Sequence, residues 1–175
     1  MKDVNAVETL TLRPQPAARP LFADVAERHL DDVYRYLLVF VRDASLAEDL
    51  AAETFERALR SWRRFDPRRA SPRTWLCAIA RNVALDHFRA ERRRVARERA
   101  ASEPEGAVES PELGLSPELE RALASLSAAD REVIALRVVL ELDPDATARL
   151  LGVSATACTT RLSRALKRLE ELMSE

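Results

Sequence analysis

Between Arg57 and Arg99 the chain carries fourteen arginines against four acidic residues, Asp66, Asp86, Glu91 and Glu98. Arginine at that density suits a polyanion, because each guanidinium neutralises a phosphate and releases counterions. Within this block "WLCAIARNVALDHFRAERRR" (75–94) joins an apolar helical pattern to a cationic end. Trp75, Ile79, Val83 and His87 recur at helical spacing, which predicts a helix pinned in a core. Arg81, Asn82, Asp86 and Arg89 fall on its other side, roughly one turn apart. Asn and Asp can bond base edges, whereas arginines grip the phosphate backbone. A second group lies near the C-terminus: Thr156, Thr159, Thr160, Arg161, Ser163, Arg164 and Lys167 on one predicted helix, all able to bond phosphates or bases. A solvated surface helix remains the alternative for that group.

Other chemistries find little support. His29 and His87 are isolated, no nucleophile–base pair stands out, and no glycine loop could cradle a phosphate, so the sequence argues against an enzyme. Cys77 and Cys158 lie in helical patterns without CxxC or clustered histidine. They read as core-filling thiols, with no metal or cofactor expected, and fit a reducing cytoplasm. The longest apolar runs, such as "YLLVFV" (36–41), are too short to span a bilayer, so no membrane insertion is expected.

These residues need a helical scaffold. Three glycines in 175 residues and few aromatics favour an all-α fold. "RPQPAARP" (13–20) reads as a flexible lead, giving a first segment 1–20. Phe22, Val25, Leu30, Val33, Leu37 and Val41 trace a first helix over roughly 21–42. Ser45 is expected to open a second with the capping box "SLAE", Glu48 reaching back to its amide, and the helix running to about Phe65. "SP" at 71–72 caps the third. Together these predict a small helical domain over 21–100. An acidic linker follows over 101–115, and six glutamates without a basic residue lie between Ser102 and Glu120. A second domain, 116–175, starts at Ser116-Pro117. Its short helix (143–152), "GVS" turn and long last helix have helix-turn-helix spacing. The segment from Asp24 to Glu56, with nine acidic residues against three arginines, suggests a different partner from the arginine block.

The two halves together resemble the bacterial extracytoplasmic-function sigma factors. "LAEDLAAETFERALRSWRRF" is similar to the family's polymerase-binding helix, often written DAEDLxQETFxRAW. "TWLCAIARNVALDHFRAERRR" is similar to its promoter −10 segment, and the second half resembles the −35-binding domain. The resemblance implies that Glu48, Asp49, Glu53 and Arg57 meet the clamp helices of core RNA polymerase. It implies a −10 surface of Phe65, Arg68, Arg69, Ser71, Arg73, Arg81, Asn82, Asp86, Arg89 and Arg93, taking single-stranded DNA, and a duplex −35 surface on Thr156, Thr159, Thr160, Arg161, Ser163, Arg164 and Lys167. Phe65 suits a base pocket and plain core equally, while Trp62 and Trp75 read as core. The linker would thread the polymerase's RNA channel. An anti-sigma factor is a further partner left open. Thr159, Ser163 and Leu166 stand where the family usually carries basic residues, so −35 recognition is expected to differ in strength or sequence. Two other classes stay open: a helix-turn-helix regulator working without polymerase, and an interaction protein that no longer reads promoters.

Overall fold

The computed structural model describes residues 20–99 and 115–174. The expected lead and acidic linker therefore lie outside the described residues, apart from Pro20 and Leu115. Three helices, α1 (Phe22–Val41), α2 (Ala44–Ser61) and α3 (Pro72–Arg99), close the first bundle. The second half contains α4 (Pro117–Ser125), α5 (Ala128–Ile134), a π-helical turn over Ala135–Val139, α6 (Pro144–Leu151) and α7 (Ala155–Ser174).

Local chemistry explains most boundaries. Ser71 Oγ accepts from the Thr74 amide at 3.1 Å, and Ser116, Ser127 and Asp143 cap α4, α5 and α6 in the same way. The expected box at Ser45 is not what opens α2. Asp43, two residues earlier, accepts from the Leu46 amide at 2.9 Å, and Ser45 already lies inside the helix. A carboxylate at the cap also faces the positive helix end, which favours it over a serine. Gly152 ends α6 at φ 68°, a conformation that favours glycine, and Ser154 Oγ then caps α7 through the Ala157 amide at 3.1 Å.

The buried face of α1 is Val25, Val33, Tyr36, Leu37 and Phe40. Leu30, expected on that face, is 54% exposed. On α3 the fully buried positions are Leu76, Cys77, Ala80, Val83 and Ala84, while Trp75 and Ile79 pack at the margin. The core therefore sits one residue further round α3 than the sequence spacing indicates. The apolar face of α3 ends at Phe88, whose ring meets Phe40 edge-on at 5.6 Å. Burial of each large apolar side chain here contributes about 1.5–3 kcal/mol.

The two halves do not stand apart. Ala135, Leu136, Leu140 and Leu142 belong to the same buried cluster as Tyr36, Phe40 and Val83. The π-helical turn makes this fit: the Leu140 amide reaches Ala135 O at 3.0 Å, five residues back, widening the helix where it meets α1.

Candidate nucleic-acid and polymerase interfaces

On α3, Asn82, Asp86, Arg89 and Arg93 are exposed. At about 100° per residue, intervals of four, three and four return to one face, so these four form a single stripe. Asp86 is its electrostatic centre. It accepts from Arg57 Nη1 at 3.0 Å and from Arg89 Nη1 at 3.1 Å. The bond from Arg57 holds the Asp86 carboxyl below its usual range. Arg81 does not share this stripe. It lies about 100° round the helix from Asn82, and its Nε donates to Glu132 at 2.7 Å.

The loop before α3 is built by short-range polar bonds. Asp66 Oδ1 accepts from the Arg68 amide at 2.9 Å, and Asp66 O accepts from the Arg69 amide at 3.1 Å. This turn leaves Arg68 and Arg69 exposed beside Ser71. Arg73 is drawn inward instead, its Nη2 donating to Asp32 on α1 at 3.0 Å. Phe65 is 5% exposed. Its ring stacks on Trp62 at 4.8 Å and meets Trp75 at 5.2 Å, so it forms a wall beneath the loop.

On α2, Glu48 and Asp49 are exposed. Glu53 pairs with Arg57 at 2.6 Å. Thr54, in the middle of the "ETF" motif, is fully buried and donates to Leu50 O at 2.7 Å. Between α1 and α2 runs an apolar groove of about 650 Å³, floored by Leu30, Tyr34, Ala51 and Phe55 and rimmed by Glu27, Asp31 and Glu48. Sequence reasoning missed this groove. Its signal was Leu30, too far round α1 to share the face of Val25 and Val33.

In the second half, Thr156, Thr160, Arg161 and Arg164 line a shallow cleft with Ser154 and Asp130. Ser163 and Lys167 are exposed on the same helix. Thr159 is also exposed, but its hydroxyl donates to Ala155 O at 3.0 Å within α7. Thr147, buried in α6, donates to Asp143 O at 2.9 Å, which satisfies its hydroxyl. Cys77 and Cys158 are free and buried, and burial pushes the Cys77 thiol up to about 12. Among the described residues no helix is long and apolar enough to cross a membrane.

Two family comparisons decide what this surface belongs to. Residues 25–94 match sigma-70 region 2, and residues 116–169 match sigma-70 region 4. The chain is 30% identical to the ECF RNA polymerase sigma factor SigM of Bacillus subtilis, over 85% of its own length and 93% of SigM. The chain belongs to the ECF sigma factors.

Other ECF relatives agree. RNA polymerase sigma factor CarQ of Myxococcus xanthus is 33% identical, with 93% of this chain and 95% of CarQ covered. BldN of Streptomyces coelicolor is 32% identical over 95% of this chain, which spans 65% of BldN. The fold is similar to sigma factor RpoE of Bartonella quintana, solved with the anti-sigma factor NepR. That match has a TM-score of 0.75 and 25% identity, covering 87% of this chain and 96% of RpoE. It is also similar to CnrH in complex with the cytosolic domain of CnrY, at a TM-score of 0.64 and 26% identity, over 87% of each chain. An ECF sigma factor with both regions binds core RNA polymerase and promoter DNA and directs promoter-specific initiation.

Proposed function

We propose a division of labour among three surfaces of this sigma factor. The α1–α2 groove and the acids Glu48, Asp49 and Glu53 dock on core polymerase. The groove offers apolar area to a helical partner, and its acidic rim sets register against basic residues. The stripe Asn82–Asp86–Arg89–Arg93 and the Arg68–Arg69–Ser71 turn take melted −10 DNA. Asn82 and Asp86 there read base edges, while the arginines neutralise phosphate. Phe65 and Trp75 support the turn from beneath, and Arg73 fixes its end to α1. Helix α7 approaches the −35 duplex through Thr156, Thr160, Arg161, Ser163, Arg164 and Lys167, with Thr159 contributing its methyl face.

The observation that carries this reading is the stripe on α3. One base-reading amide and two arginines share the solvent face of α3, opposite the side that Leu76, Ala80, Val83 and Ala84 bury, so the bundle can hold DNA without exposing its own apolar side. The factor works by binding alone in the cytoplasm, and the chemistry of RNA synthesis stays with the polymerase. RpoE, solved with the anti-sigma factor NepR, supports an anti-sigma factor as a further partner. The direct test is transcription from a linear promoter library with core polymerase, with and without the protein. Recovery of transcripts sharing a −10 and a −35 sequence is expected, and a library transcribed no differently with the protein would overturn the reading.

A further inference from the structure

The cleft beside α7, about 490 Å³, has walls of opposite charge. Its α7 side carries Thr156, Thr160, Arg161 and Arg164, and Asp130 of α5 is the one carboxylate among the residues that line it. Helix α7 itself supplies no acid before Glu170. Val133 and Ile134 of α5 share a buried cluster with Cys158 and Ala165 of α7, so the two walls are held at a fixed spacing. Asp130 does not neutralise the arginines opposite. Its Oδ2 accepts from Ser127 Oγ at 2.7 Å, and Ser127 Oγ accepts from the Asp130 amide at 3.2 Å. Among the described residues no ion pair joins Asp130 to Arg161 or Arg164. A carboxylate that balances an arginine bonds to it, as Asp86 does to Arg89 at 3.1 Å. Asp130 instead keeps its charge directed at whatever enters the cleft.

We propose that Asp130 is a specificity-determining residue of the −35 surface: its carboxylate bars phosphate from the α5 wall of the cleft, so that duplex lacking the −35 sequence is held weakly. The inference rests on α7 as the reader of the −35 duplex. Binding to unrelated duplex comes almost wholly from phosphate contacts, whereas a matched sequence adds contacts to base edges. Arg161 and Arg164 attract any duplex, whatever its sequence, because a phosphate carries no base identity. A carboxylate across the cleft repels a phosphate that drifts to its wall and leaves base contacts on α7 untouched. It therefore subtracts more from unrelated duplex than from a duplex seated in register. Specificity is a difference of affinities, and a repulsive group raises it without any new attractive contact.

The test uses holoenzyme of the full chain and two probes. One is a duplex bearing the −35 sequence recovered from the promoter library, the other a duplex of the same composition with that sequence scrambled. Asp130→Asn keeps the shape and removes the charge. It is expected to raise affinity for the scrambled duplex on the order of fivefold, the factor that a unit charge about 4 Å from a phosphate contributes in water. Affinity for the −35 duplex should rise by less, so the ratio between the probes falls. The salt slope for the scrambled duplex should steepen by about 1. Asp130→Glu keeps the charge and should keep the wild-type ratio, whereas a residue that only caps α5 would be disturbed by both substitutions. An unchanged ratio in Asp130→Asn would overturn the proposal, as would an equal fall in Asp130→Glu. A loss confined to the −35 duplex would also overturn it, by making Asp130 a reader of a base. The variant with Arg161, Arg164 and Lys167 replaced by alanine separates the two levels. If it binds both duplexes as wild type does, α7 is not the duplex reader and both readings fall. If it binds weakly while Asp130→Asn keeps the wild-type ratio, α7 stands as the reader and Asp130 alone loses its role.

Discussion

Arg57 on α2 and Asp86 on α3 are joined by a hydrogen bond of 3.0 Å, while Arg57 also holds Glu53 at 2.6 Å on its own helix. A residue assigned to the polymerase side is thus wired to the carboxylate at the centre of the −10 stripe. The pairs are half-exposed, so they orient side chains more than they stabilise the bundle. Reversing Asp49 and Glu53 to lysine is expected to abolish association with core polymerase and leave far-UV circular dichroism unchanged. Because Glu53→Lys also removes one of the two carboxylates that hold Arg57, leaving Asp86 as the other, base preference at −10 should shift in any residual holoenzyme. Undiminished core binding by the double variant would remove α2 from the docking surface.

Within the stripe, Asn82 and Arg89 should fail differently. Asn82→Ala is expected to cost about 1–3 kcal/mol against one base and less against the others, because a base edge is lost. Arg89→Ala should weaken all sequences nearly alike, since a phosphate carries no base identity. Fluorescence anisotropy of holoenzyme against single-base variants of −10 DNA reads both. A uniform loss for Asn82→Ala would transfer base reading to the 66–71 turn.

On α7, replacing Arg161, Arg164 and Lys167 by alanine should flatten the dependence of −35 duplex affinity on salt. Three lost phosphate contacts reduce the slope of log K against log salt by about 2–3. Lys167 lies 3.9 Å from Glu171, an exposed and weak pairing that leaves the amine available to DNA. An unchanged slope would exclude α7 as the duplex reader and favour an interaction protein.

Asp32 provides a pH test of the frame that holds the turn. Burial raises its carboxyl, but bonds from His29 and Arg73 outweigh that and leave it below the ordinary range. A lowered carboxyl contributes stability above its unfolded value, near pH 3.9, and loses it as pH falls through the folded value. Asp32→Asn should therefore cost about 1–2 kcal/mol near neutrality. The difference from wild type should shrink only below about pH 4. Thermal unfolding from pH 7 to pH 3 checks this, and a difference that vanishes already at pH 6 would contradict it.

The sequence by itself determined the helices and the order of the two domains. Apolar spacing, Ser-Pro and Asp-Pro caps and the Gly152 turn are local signals, and local signals survive without tertiary context. It also determined the exposed arginines past Phe88, because a segment dominated by arginine and glutamate has too little apolar surface to be buried. Three things were decided only by packing. Asp43 rather than Ser45 caps α2, since two cap formers two residues apart differ only in the path of the chain leaving α1. Phe65 became a wall because Trp62 and Trp75 close on its ring, a contact across thirteen positions that no periodicity encodes. Arg81, read from the sequence as a partner of Asn82, faces Glu132 instead, fifty-one residues away in the chain. One step along a helix is about 100° of rotation, enough to turn a neighbour from DNA toward protein. That Arg81 meets Glu132 is set by how the second half packs on the first, which no local signal in the sequence records.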